Sequence, residues 1–339
     1  MKWFNIILSA AALLWTMATS CGSADSSPQY EVIAYVWSAD SHMLPPADAV
    51  TAINYCGGWP TDSRDGIKIA NGHRLLDVLK LKEQNPRLKV LLSMCGNNYN
   101  GWPELAAFPE KRKAFAADCL RVIEQYELDG IDMDWEFPAA EGGTPDDIDN
   151  FHALLAEIRQ VIGPDRRLTV AGGASARSLK FPEILKVVDY INVMAYDMGW
   201  QAPYHHTALY RSDVTGWHSV EESLHEFLDK GAPADRLVLG LAFYGRGNDR
   251  DYCSYTDYRD LTLKEGMTER WDSIGCVPYI ADSLGTLVLG YENPRSLEIK
   301  CQYIKDHGLK GGMYWRSELD SDDHVLARTV ARCLIDQQR

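Results

Sequence analysis

The sequence predicts a single-domain α/β protein, a (β/α)₈ TIM barrel. From Tyr30 onward, eight short apolar runs with strand-like composition alternate with longer segments of helical period. The runs are nearly continuously apolar, as parallel strands buried on both faces are. No linker or low-complexity segment divides the chain after residue 30, and a hydrophobic content of 46% over 339 residues allows one large core.

The predicted elements follow one another in a regular alternation. In chain order the strands are EVIAYVW, AVTAINYC, KVLLSMCG, DGIDMDWEF, RLTVAGGAS, YINVMAYD, RLVLGLAFYG and KGGMYW. The helices include GHRLLDVLKLKEQ, EKRKAFAADCLRVIEQY, DDIDNFHALLAEIRQVIG, SVEESLHEFLDKG and PRSLEIKCQYIKDHG, with a last one from Asp323 onward. Because such barrels place their chemistry at the carboxyl ends of the strands, we expect catalytic residues there.

The N-terminus predicts export. Residues 1–20 combine Lys2, an apolar run and a small-residue end, which is the pattern of a secretory signal peptide. Cys21 follows and precedes the polar stretch GSADSSPQ, an arrangement that resembles the lipobox and tether of a bacterial lipoprotein. We expect a signal peptide at 1–20, a lipid-anchored tether at 21–29, the barrel at 30–339, and a location in the periplasm or at the cell surface. An ordinary signal peptide with a nearby cysteine is the alternative.

Charge and cysteine usage limit the partners and cofactors. A formal net charge of -14 argues against a nucleic-acid partner, which requires a basic footprint. Beyond Cys21, the cysteines show no zinc-ligand spacing. Cys56 and Cys95 lie in apolar runs and are expected to be small core residues. Cys253 and Cys276 fall in a loop region, where pairing is left open. We expect a monomer without a cofactor.

The adjacent His205 and His206 are the remaining candidate metal ligands. A protein metal site needs at least a third ligand at suitable spacing, and none stands near them in the sequence. No metal is therefore predicted.

The segment LDGIDMDWEFP, residues 128–138, carries four carboxylates among apolar residues. Asp132, Asp134 and Glu136 alternate with apolar side chains, so strand geometry directs all three to one face. At ~3.3 Å of rise per residue, the Cα atoms of Asp134 and Glu136 lie about 6.6 Å apart, close enough to share a proton or a ligand. A solvated edge strand is the alternative. In a barrel that face is buried, and crowding and desolvation raise at least one carboxyl pKa. Glu136, the outermost, is therefore the predicted general acid.

Five motifs resemble those of the family 18 glycoside hydrolases, the chitinases and their relatives. The D-x-x-D-x-D-x-E signature is complete and ends in the chitinase-like DWEFP. SMCG at 93–96 is similar to S-x-G-G, with Cys95 for the first glycine, and MAYD at 194–197 matches M-x-Y-D. GLAFYGRG matches G-x-P-F-Y-G-R with Ala242 for proline, and MYWRSELD matches the eighth-strand motif with Glu318 where aspartate is usual. The resemblance covers nearly the whole chain from Tyr35.

The resemblance implies a substrate-assisted retaining glycosidase. The 2-acetamido oxygen of the sugar would attack the anomeric carbon while Glu136 protonates the glycosidic oxygen. Asp134 would orient the acetamido N–H, and Asp132 would exchange a proton with Asp134. Tyr196 would donate to the acetamido carbonyl, and Asp197 would help to hold the sugar. The sequence shows no evident protein nucleophile, in agreement with this mechanism.

Aromatic residues at strand ends are candidate sugar-stacking groups. The resemblance implies that Trp315 forms the floor under the sugar at the cleavage site, with a barrel-core tryptophan as the alternative. For Trp59, Trp102 and Trp200, loop packing is the alternative to a sugar-binding role. The full predicted substrate-binding set is Tyr35, Trp59, Trp102, Met194, Asp197, Trp200 and Trp315.

Together these features predict an exported chitinase-type enzyme that cleaves β-1,4 bonds next to N-acetylglucosamine. The alternatives are an endo-β-N-acetylglucosaminidase acting on the chitobiose core of N-glycans, and a non-catalytic carbohydrate-binding relative, against which the presence of Glu136 argues. Only about 30 residues separate Gly247 from the run VPYIADSLGTLVLGYENPRS, too few for the large insertion domain with its own core that many chitinases carry. We therefore expect a shallow cleft that is open on that side.

Overall fold

The computed structural model describes residues 30–39, 43–247, 253–264 and 266–335. The predicted signal peptide, the tether and Cys21 lie outside these described residues, so export and anchoring stay predictions. Within the described ranges, no helix combines the length and the apolar character needed to cross a membrane.

The described chain contains the following strands and helices. Strands β1 to β14 are Glu31–Trp37, Ala52–Pro60, Ile67–Ile69, Lys89–Gly96, Gly130–Trp135, Arg167–Gly172, Tyr190–Val193, Leu237–Ala242, Tyr244–Gly247, Cys253–Ser254, Thr268–Asp272, Val277–Ala281, Leu287–Gly290 and Gly311–Trp315. Helices α1 to α8 are Gly72–Gln84, Trp102–Ala107, Pro109–Tyr126, Asp147–Ile162, Val220–Asp229, Tyr255–Lys264, Pro294–Asp306 and Val325–Leu334.

Eight of these strands form a closed parallel barrel. Their order is β1, β14, β8, β7, β6, β5, β4, β2, and β1 also pairs with β2, which closes the ring. The pairings at the closure are parallel, with Glu31 opposite Gly311 on one side and Ile33 opposite Ala52 on the other. The short β3 adds to β2 in the antiparallel direction. The predicted (β/α)₈ fold is therefore confirmed.

The main core lies between the barrel and its helices. Phe115 and Val122 on α3 and Phe151 and Leu155 on α4 are buried against β5 and its neighbours. Each such side chain contributes roughly 1.5–3 kcal/mol when it leaves water. The apolar residues that flank the acids of β5 belong to this layer, which leaves the acids on the inner side of the barrel.

The loops at the carboxyl ends of the strands are held by capped helices. Ser219 accepts a hydrogen bond from the N–H of Glu222, and the Glu222 carboxylate accepts one from the N–H of Ser219, at the start of α5. This reciprocal cap ends the long loop at 194–219 that follows β7. Asn293 caps α7 in the same way through Ser296. The loop segments near the barrel opening therefore join helices with well-defined ends.

A small second sheet follows β8. Its strand order is β10, β9, β13, β12, β11, all antiparallel, and α6 accompanies it. Its apolar residues Ile280, Leu289 and Tyr291 form a separate buried cluster. The segment is far smaller than the large insertion whose absence the sequence predicts. The three buried apolar residues of this cluster lie within the run VPYIADSLGTLVLGYENPRS and not in the short stretch before it, for which the sequence predicts no core of its own.

Candidate active site

The carboxylate of Asp132 is buried at the centre of the barrel. It accepts hydrogen bonds from Tyr35 Oη at 2.9 Å, Ser93 Oγ at 2.8 Å, Thr169 Oγ1 at 2.5 Å and Asn192 Nδ2 at 3.1 Å. Ser93 and Thr169 stand opposite Asp132 in the registers of the two adjacent strands. Burial raises the pKa of Asp132 above its ordinary value, although the four donors offset part of this effect.

This network changes the role of Tyr35. The sequence predicts Tyr35 as a substrate-binding residue, but its side chain is only 2% exposed. Its hydroxyl donates to Asp132 and accepts from Asn192 Nδ2 at 3.0 Å. Tyr35 is therefore a buried partner of the acid and not a contact for substrate.

Asp134 and Glu136 lie at the carboxyl end of β5 and interact through their charges. Asp134 is 4% exposed, and its Oδ1 has no hydrogen-bond partner among the described residues. Burial, followed by the charge of Glu136, raises the pKa of Asp134 well above its usual range. Burial and the charge of Asp197 raise the pKa of Glu136 to about 7. Near neutral pH this end of the strand therefore holds protons that ordinary carboxyl groups would release.

Glu136 is placed just past the last residue of β5. Its N–H donates to Gly96 O at 2.9 Å, which continues the pairing with β4 by one more bond. Its side chain is exposed, because it borders an open pocket, while protein surrounds the carboxyl on the other sides. An acid in this position is accessible to a ligand, while the surrounding protein raises its pKa.

The pocket next to Glu136 has a volume of about 480 Å³. This size is typical of small-molecule sites, which are concave and largely apolar. It brings together five of the predicted site residues, namely Glu136, Met194, Tyr196, Asp197 and Trp200. The full lining is Glu136, Phe137, Pro138, Ala139, Ala140, Gly173, Ala174, Ser175, Arg177, Ser178, Met194, Tyr196, Asp197, Trp200 and Trp217.

Asp197 is fixed at the pocket wall by a cationic and a phenolic donor. It accepts hydrogen bonds from Arg246 Nε at 2.5 Å, Arg246 Nη2 at 2.6 Å and Tyr244 Oη at 2.7 Å. Its backbone is left-handed, with φ of 58°, a conformation that aspartate adopts more readily than most residues. Although burial acts to raise it, the pKa of Asp197 lies well below its usual range because His206 and Arg246 stabilise the carboxylate. Asp197 therefore stays ionised.

The ring of Tyr196 owes its position to a glycine. A Cβ on Gly240 of β8 would lie 2.9 Å from Cε1 of Tyr196 and 2.4 Å from the carbonyl oxygen of Val193. The ring centroid of Tyr196 is 6.0 Å from that of Tyr244, in an edge-on arrangement. Only glycine at residue 240 leaves space for this ring inside the barrel.

The predicted tryptophans fall in different places. Trp200 is 61% exposed, lines the pocket and lies over the Arg246 guanidinium at 4.7 Å. Trp315 is half-buried and packs 5.9 Å from both Tyr35 and Trp37. Trp59 is half-buried and contacts Trp37 at 6.0 Å. Trp59 and Trp315 thus belong to an aromatic group around the end of β1.

Trp102 is the clear error among the predicted stacking residues. Its side chain has no solvent exposure, and its Nε1 donates to Cys95 O at 3.2 Å. The ring stacks on Trp135 at 6.1 Å and packs edge-on against Phe115 at 5.6 Å. Trp102 begins α2, which packs on the outside of the barrel, so it cannot contact a sugar.

The two histidines face different carboxylates. His205 Nε2 lies 3.4 Å from Asp272 Oδ2 on β11, whereas His206 Nδ1 lies 3.7 Å from Asp197 Oδ1. His205 therefore connects the loop after β7 to the small sheet, and His206 supports the pocket wall. The fourth acid of the motif, Asp129, is at the opposite end of β5 and pairs with lysines instead.

The thiols in the loop region do not join. Cys276 is a free thiol that donates to Ser273 O at 3.7 Å, so the open question of a Cys253–Cys276 disulfide is answered against it. Cys56 and Cys95 are buried, as the sequence predicts.

Sequence reasoning missed the residues that support the acids. Arg246 and Tyr244 stand in the motif FYGRG, whose family resemblance by itself implies no role for either residue. Ser93, Thr169 and Asn192 are polar residues inside otherwise apolar strands, and this signal could have identified them as inward-facing partners of a buried charge. Trp217, which lines the pocket, carries no such signal because it stands in the loop after β7.

The chain is similar to proteins of known class. The family model described as "Glycosyl hydrolases family 18" matches residues 31–320. Chitinase A1 of Niallia circulans is 33% identical over 294 residues, which are 72% of this chain and 42% of that protein. An endochitinase of Manduca sexta is 30% identical over 299 residues, which are 74% of this chain and 53% of that protein. The chain thus spans about half the length of these relatives.

The fold comparison points in the same direction. The solved family 18 N-acetylglucosaminidase from Paenibacillus barengoltzii has a TM-score of 0.80 and is 29% identical, and the match covers 90% of this chain and 100% of that chain. The family match includes all eight barrel strands and every acid of the D-x-x-D-x-D-x-E motif. The chain therefore belongs to family 18 of the glycosyl hydrolases, among its chitinase-like members.

Proposed function

We propose that this protein hydrolyses β-1,4 bonds in N-acetylglucosamine-containing glycans by a substrate-assisted retaining mechanism of the chitinase type. The observation that carries the proposal is Glu136 at the pocket wall with Asp134 buried at the end of the same strand. Because the pKa of Glu136 is about 7, this carboxyl holds a transferable proton near neutral pH. The chitinases and the N-acetylglucosaminidase named above are relatives of matching class.

The second acid in the pocket lining supports a mechanism without a protein nucleophile. A retaining glycosidase of the usual kind needs a carboxylate free to attack the anomeric carbon. Asp197 is ionised, but its two oxygens accept the Arg246 and Tyr244 hydrogen bonds. Attack by the 2-acetamido oxygen of the sugar itself requires no such free carboxylate.

Asp134 has the properties that this attack requires of the protein. Its buried Oδ1 has no hydrogen-bond partner in the described part of the chain and can accept the acetamido N–H. As positive charge develops on the oxazolinium-like intermediate, an ionised Asp134 stabilises it. The proton of Asp134 can move toward Asp132, whose oxygens are kept in place by four donors. Tyr196 at the pocket wall donates to the acetamido carbonyl.

The aromatic residues at the pocket favour internal cleavage of a chain. Trp200 and Trp217 are 61% and 49% exposed and both line the pocket. Exposed indole faces stack on pyranose rings, so the pocket side of Glu136 is suited to further sugars beyond the one being cleaved. This arrangement supports endo action on oligosaccharides, whereas a pure exo enzyme would release single sugars.

Replacement of Glu136 tests the catalytic assignment. Glu136→Gln keeps the shape of the side chain and removes its transferable proton, so kcat on chitooligosaccharides should fall by roughly 10²-fold or more. Calorimetric binding of the oligosaccharide should persist. Glu141→Gln is the matched control, an exposed glutamate on the same loop whose carboxylate contacts only Tyr99 among described residues. Glu136→Gln with the rate of the unmutated protein would end the assignment.

The substrate-assisted step has its own test. Fully deacetylated chitosan lacks the 2-acetamido oxygen and should not be cleaved, although its sugars are joined by the same β-1,4 bond as those of the acetylated oligomer. NMR in the first minutes of digestion of an acetylated oligomer should show β products. Early α products would mean direct attack by water and would contradict the mechanism. Product lengths from the same reaction distinguish endo from exo action.

A further inference from the structure

Two buried thiols converge on Asp134. The Sγ atoms of Cys56 and Cys95 and one carboxylate oxygen of Asp134 all lie within 4.8 Å of one another. Cys56 is on β2, Cys95 on β4 and Asp134 on β5, which are neighbours in the barrel. Cys95 stands directly opposite Asp134 in the register. The group is therefore built into three adjacent strands at their carboxyl ends.

Only two residues of the group retain any solvent exposure. Cys56 has none, whereas Cys95 is 6% and Asp134 is 4% exposed. Entry of a small ion would therefore pass Cys95 and Asp134, and an oligosaccharide cannot contact Cys56.

The polar atoms of this group make weak thiol hydrogen bonds, and one carboxylate oxygen makes none among the described residues. Asp134 Oδ1 is buried without a hydrogen-bond partner among the described residues. The Cys56 thiol contacts Asn54 O at 4.0 Å, and the Cys95 thiol contacts Ser93 O at 3.6 Å and Ser93 Oγ at 3.8 Å. The two thiols are also within hydrogen-bond reach of each other, and Cys95 is within reach of Asp134. The three side chains therefore point toward a common centre, where one buried carboxylate oxygen is left without a partner among the described residues.

We propose that Cys56, Cys95 and Asp134 form a binding site for Zn²⁺, and that occupation of this site inhibits hydrolysis. Two thiolates and one carboxylate are donors that zinc prefers, at about 2.3 Å for sulfur and about 2.0–2.2 Å for oxygen. Around a tetrahedral ion at these bond lengths, the two sulfurs lie about 3.8 Å apart and each sulfur about 3.5–3.7 Å from the oxygen, so the group, now within 4.8 Å, would contract by at most about 1.3 Å. Three protein ligands leave one coordination position for water. The two thiol protons leave to solvent when the ion binds.

Inhibition follows from the place of Asp134. A carboxylate bound to zinc cannot turn to accept the acetamido N–H of the substrate. The ion also places positive charge beside the position where the oxazolinium-like intermediate develops positive charge, so it opposes the electrostatic stabilisation. The binding step stands on the geometry alone, whereas inhibition rests on the proposed function.

A second thiol pair provides the control. Cys301 on α7 and Cys333 on α8 are within hydrogen-bond reach of each other, and this contact lowers the pKa of Cys333 to about 7. These thiols are distant from the acid strand in the fold, since they belong to the outer helices. Metal binding to this second pair is abolished by Cys333→Ala, whereas Cys56→Ala on β2 and Cys95→Ala on β4 leave it unchanged.

Direct binding is measured first. The chelator-treated, reduced protein is titrated with Cd²⁺, which reports thiolate coordination by its ultraviolet charge-transfer band, and with Zn²⁺ by equilibrium dialysis. The unmutated protein should bind one Cd²⁺ ion, and this binding should produce the thiolate charge-transfer band. Cys56→Ala and Cys95→Ala should each weaken binding at least about tenfold, since loss of even an outer-shell partner costs about 10–100-fold. Asp134→Asn should weaken binding and keep the band.

Three outcomes overturn the proposed site. These are the absence of a thiolate band in the unmutated protein, affinity unchanged in both Cys56→Ala and Cys95→Ala, and loss of the band in Cys333→Ala. The first result does not depend on any variant folding correctly.

Hydrolysis is then assayed with and without Zn²⁺, and each variant is compared with its own metal-free rate. The ion should inhibit the unmutated protein and Cys333→Ala at least tenfold more strongly than Cys95→Ala, and a chelator should restore the rate. Binding without inhibition would overturn the inhibitory role. A metal-free protein that hydrolyses nothing would contradict the proposed function and leave the binding result intact.

Discussion

The Asp197 carboxylate accepts hydrogen bonds from Nε and Nη2 of Arg246, at 2.5 Å and 2.6 Å. This buried ion pair forms the wall of the pocket that faces Glu136. The Arg246 side chain is only 4% exposed. The pair keeps a negative charge near Glu136, which helps to raise the pKa of that acid.

Arg246→Met should destabilise the protein and lower its activity. The change keeps much of the side-chain volume but leaves the Asp197 carboxylate without its cationic partner. Breaking a buried pair costs about 3–5 kcal/mol, and since Asp197 retains some exposure we expect about 3 kcal/mol or less in the free energy of unfolding. Urea denaturation measures this loss. Arg211→Met is the control, because the exposed Arg211–Glu222 pair should contribute only about 0–1 kcal/mol. Equal losses in the two variants would contradict the assigned role of the buried pair.

The rate should fall as the pH rises through about 7. Glu136 must be protonated to donate, its pKa is raised to about 7, and the proton is therefore present below this pH and lost above it. Well above the midpoint, kcat/KM should decrease by about tenfold per pH unit. The profile is measured in chelator-treated buffer on a soluble oligosaccharide, with the free energy of unfolding followed in parallel. A rate that increases between pH 7 and pH 9 would show that another group supplies the proton.

Tyr35→Phe should reduce kcat and leave KM nearly unchanged. The variant removes one of the four donors to Asp132 without opening space, and it does not touch the pocket lining. Removing one donor from a buried acceptor costs about 1–3 kcal/mol, so the free energy of unfolding should also decrease. Steady-state kinetics on one oligosaccharide separates the two parameters. A large rise in KM with constant kcat would restore the substrate-binding role predicted from the sequence.

Digestion of a polymer should be non-processive. The small sheet formed by β9 to β13 has a core of only a few residues, so it provides a low wall, and a shallow cleft holds fewer sugars after each cut. Early digests of partly acetylated soluble chitosan should contain odd-length and even-length products together with a rapid loss of viscosity. A strong early excess of even-length products at nearly constant viscosity would indicate sliding along the chain.

Cys21→Ala should release the protein from membranes. If residues 1–20 are removed on export and Cys21 is then lipidated, the unmutated protein sediments with membranes and the variant is found in the soluble exported fraction. Cell fractionation with immunodetection measures this. Unmutated protein found wholly in the soluble exported fraction would leave only the ordinary signal peptide.

The order of strands and helices and the identity of the acid strand could be predicted from the sequence because both depend on local periodicity. Parallel buried strands are continuously apolar, and period-two alternation directs Asp132, Asp134 and Glu136 to the same side whatever surrounds them. Glu136 at the end of β5 and the raised pKa of its carboxyl follow from that pattern and from burial.

Only the tertiary structure decided which residues support those acids and which aromatic rings reach the pocket. Arg246 donates to Asp197 from the strand that follows β8, and the Cys56 thiol lies within 4.8 Å of the Asp134 carboxylate from another strand of the barrel. No spacing along the chain encodes these two arrangements. Trp102 and Trp200 both stand near strand ends in the sequence, yet one is buried against Trp135 and the other lines the pocket. The physical reason is that a strand determines the direction of its own side chains, whereas the path of a loop is determined by what it packs against.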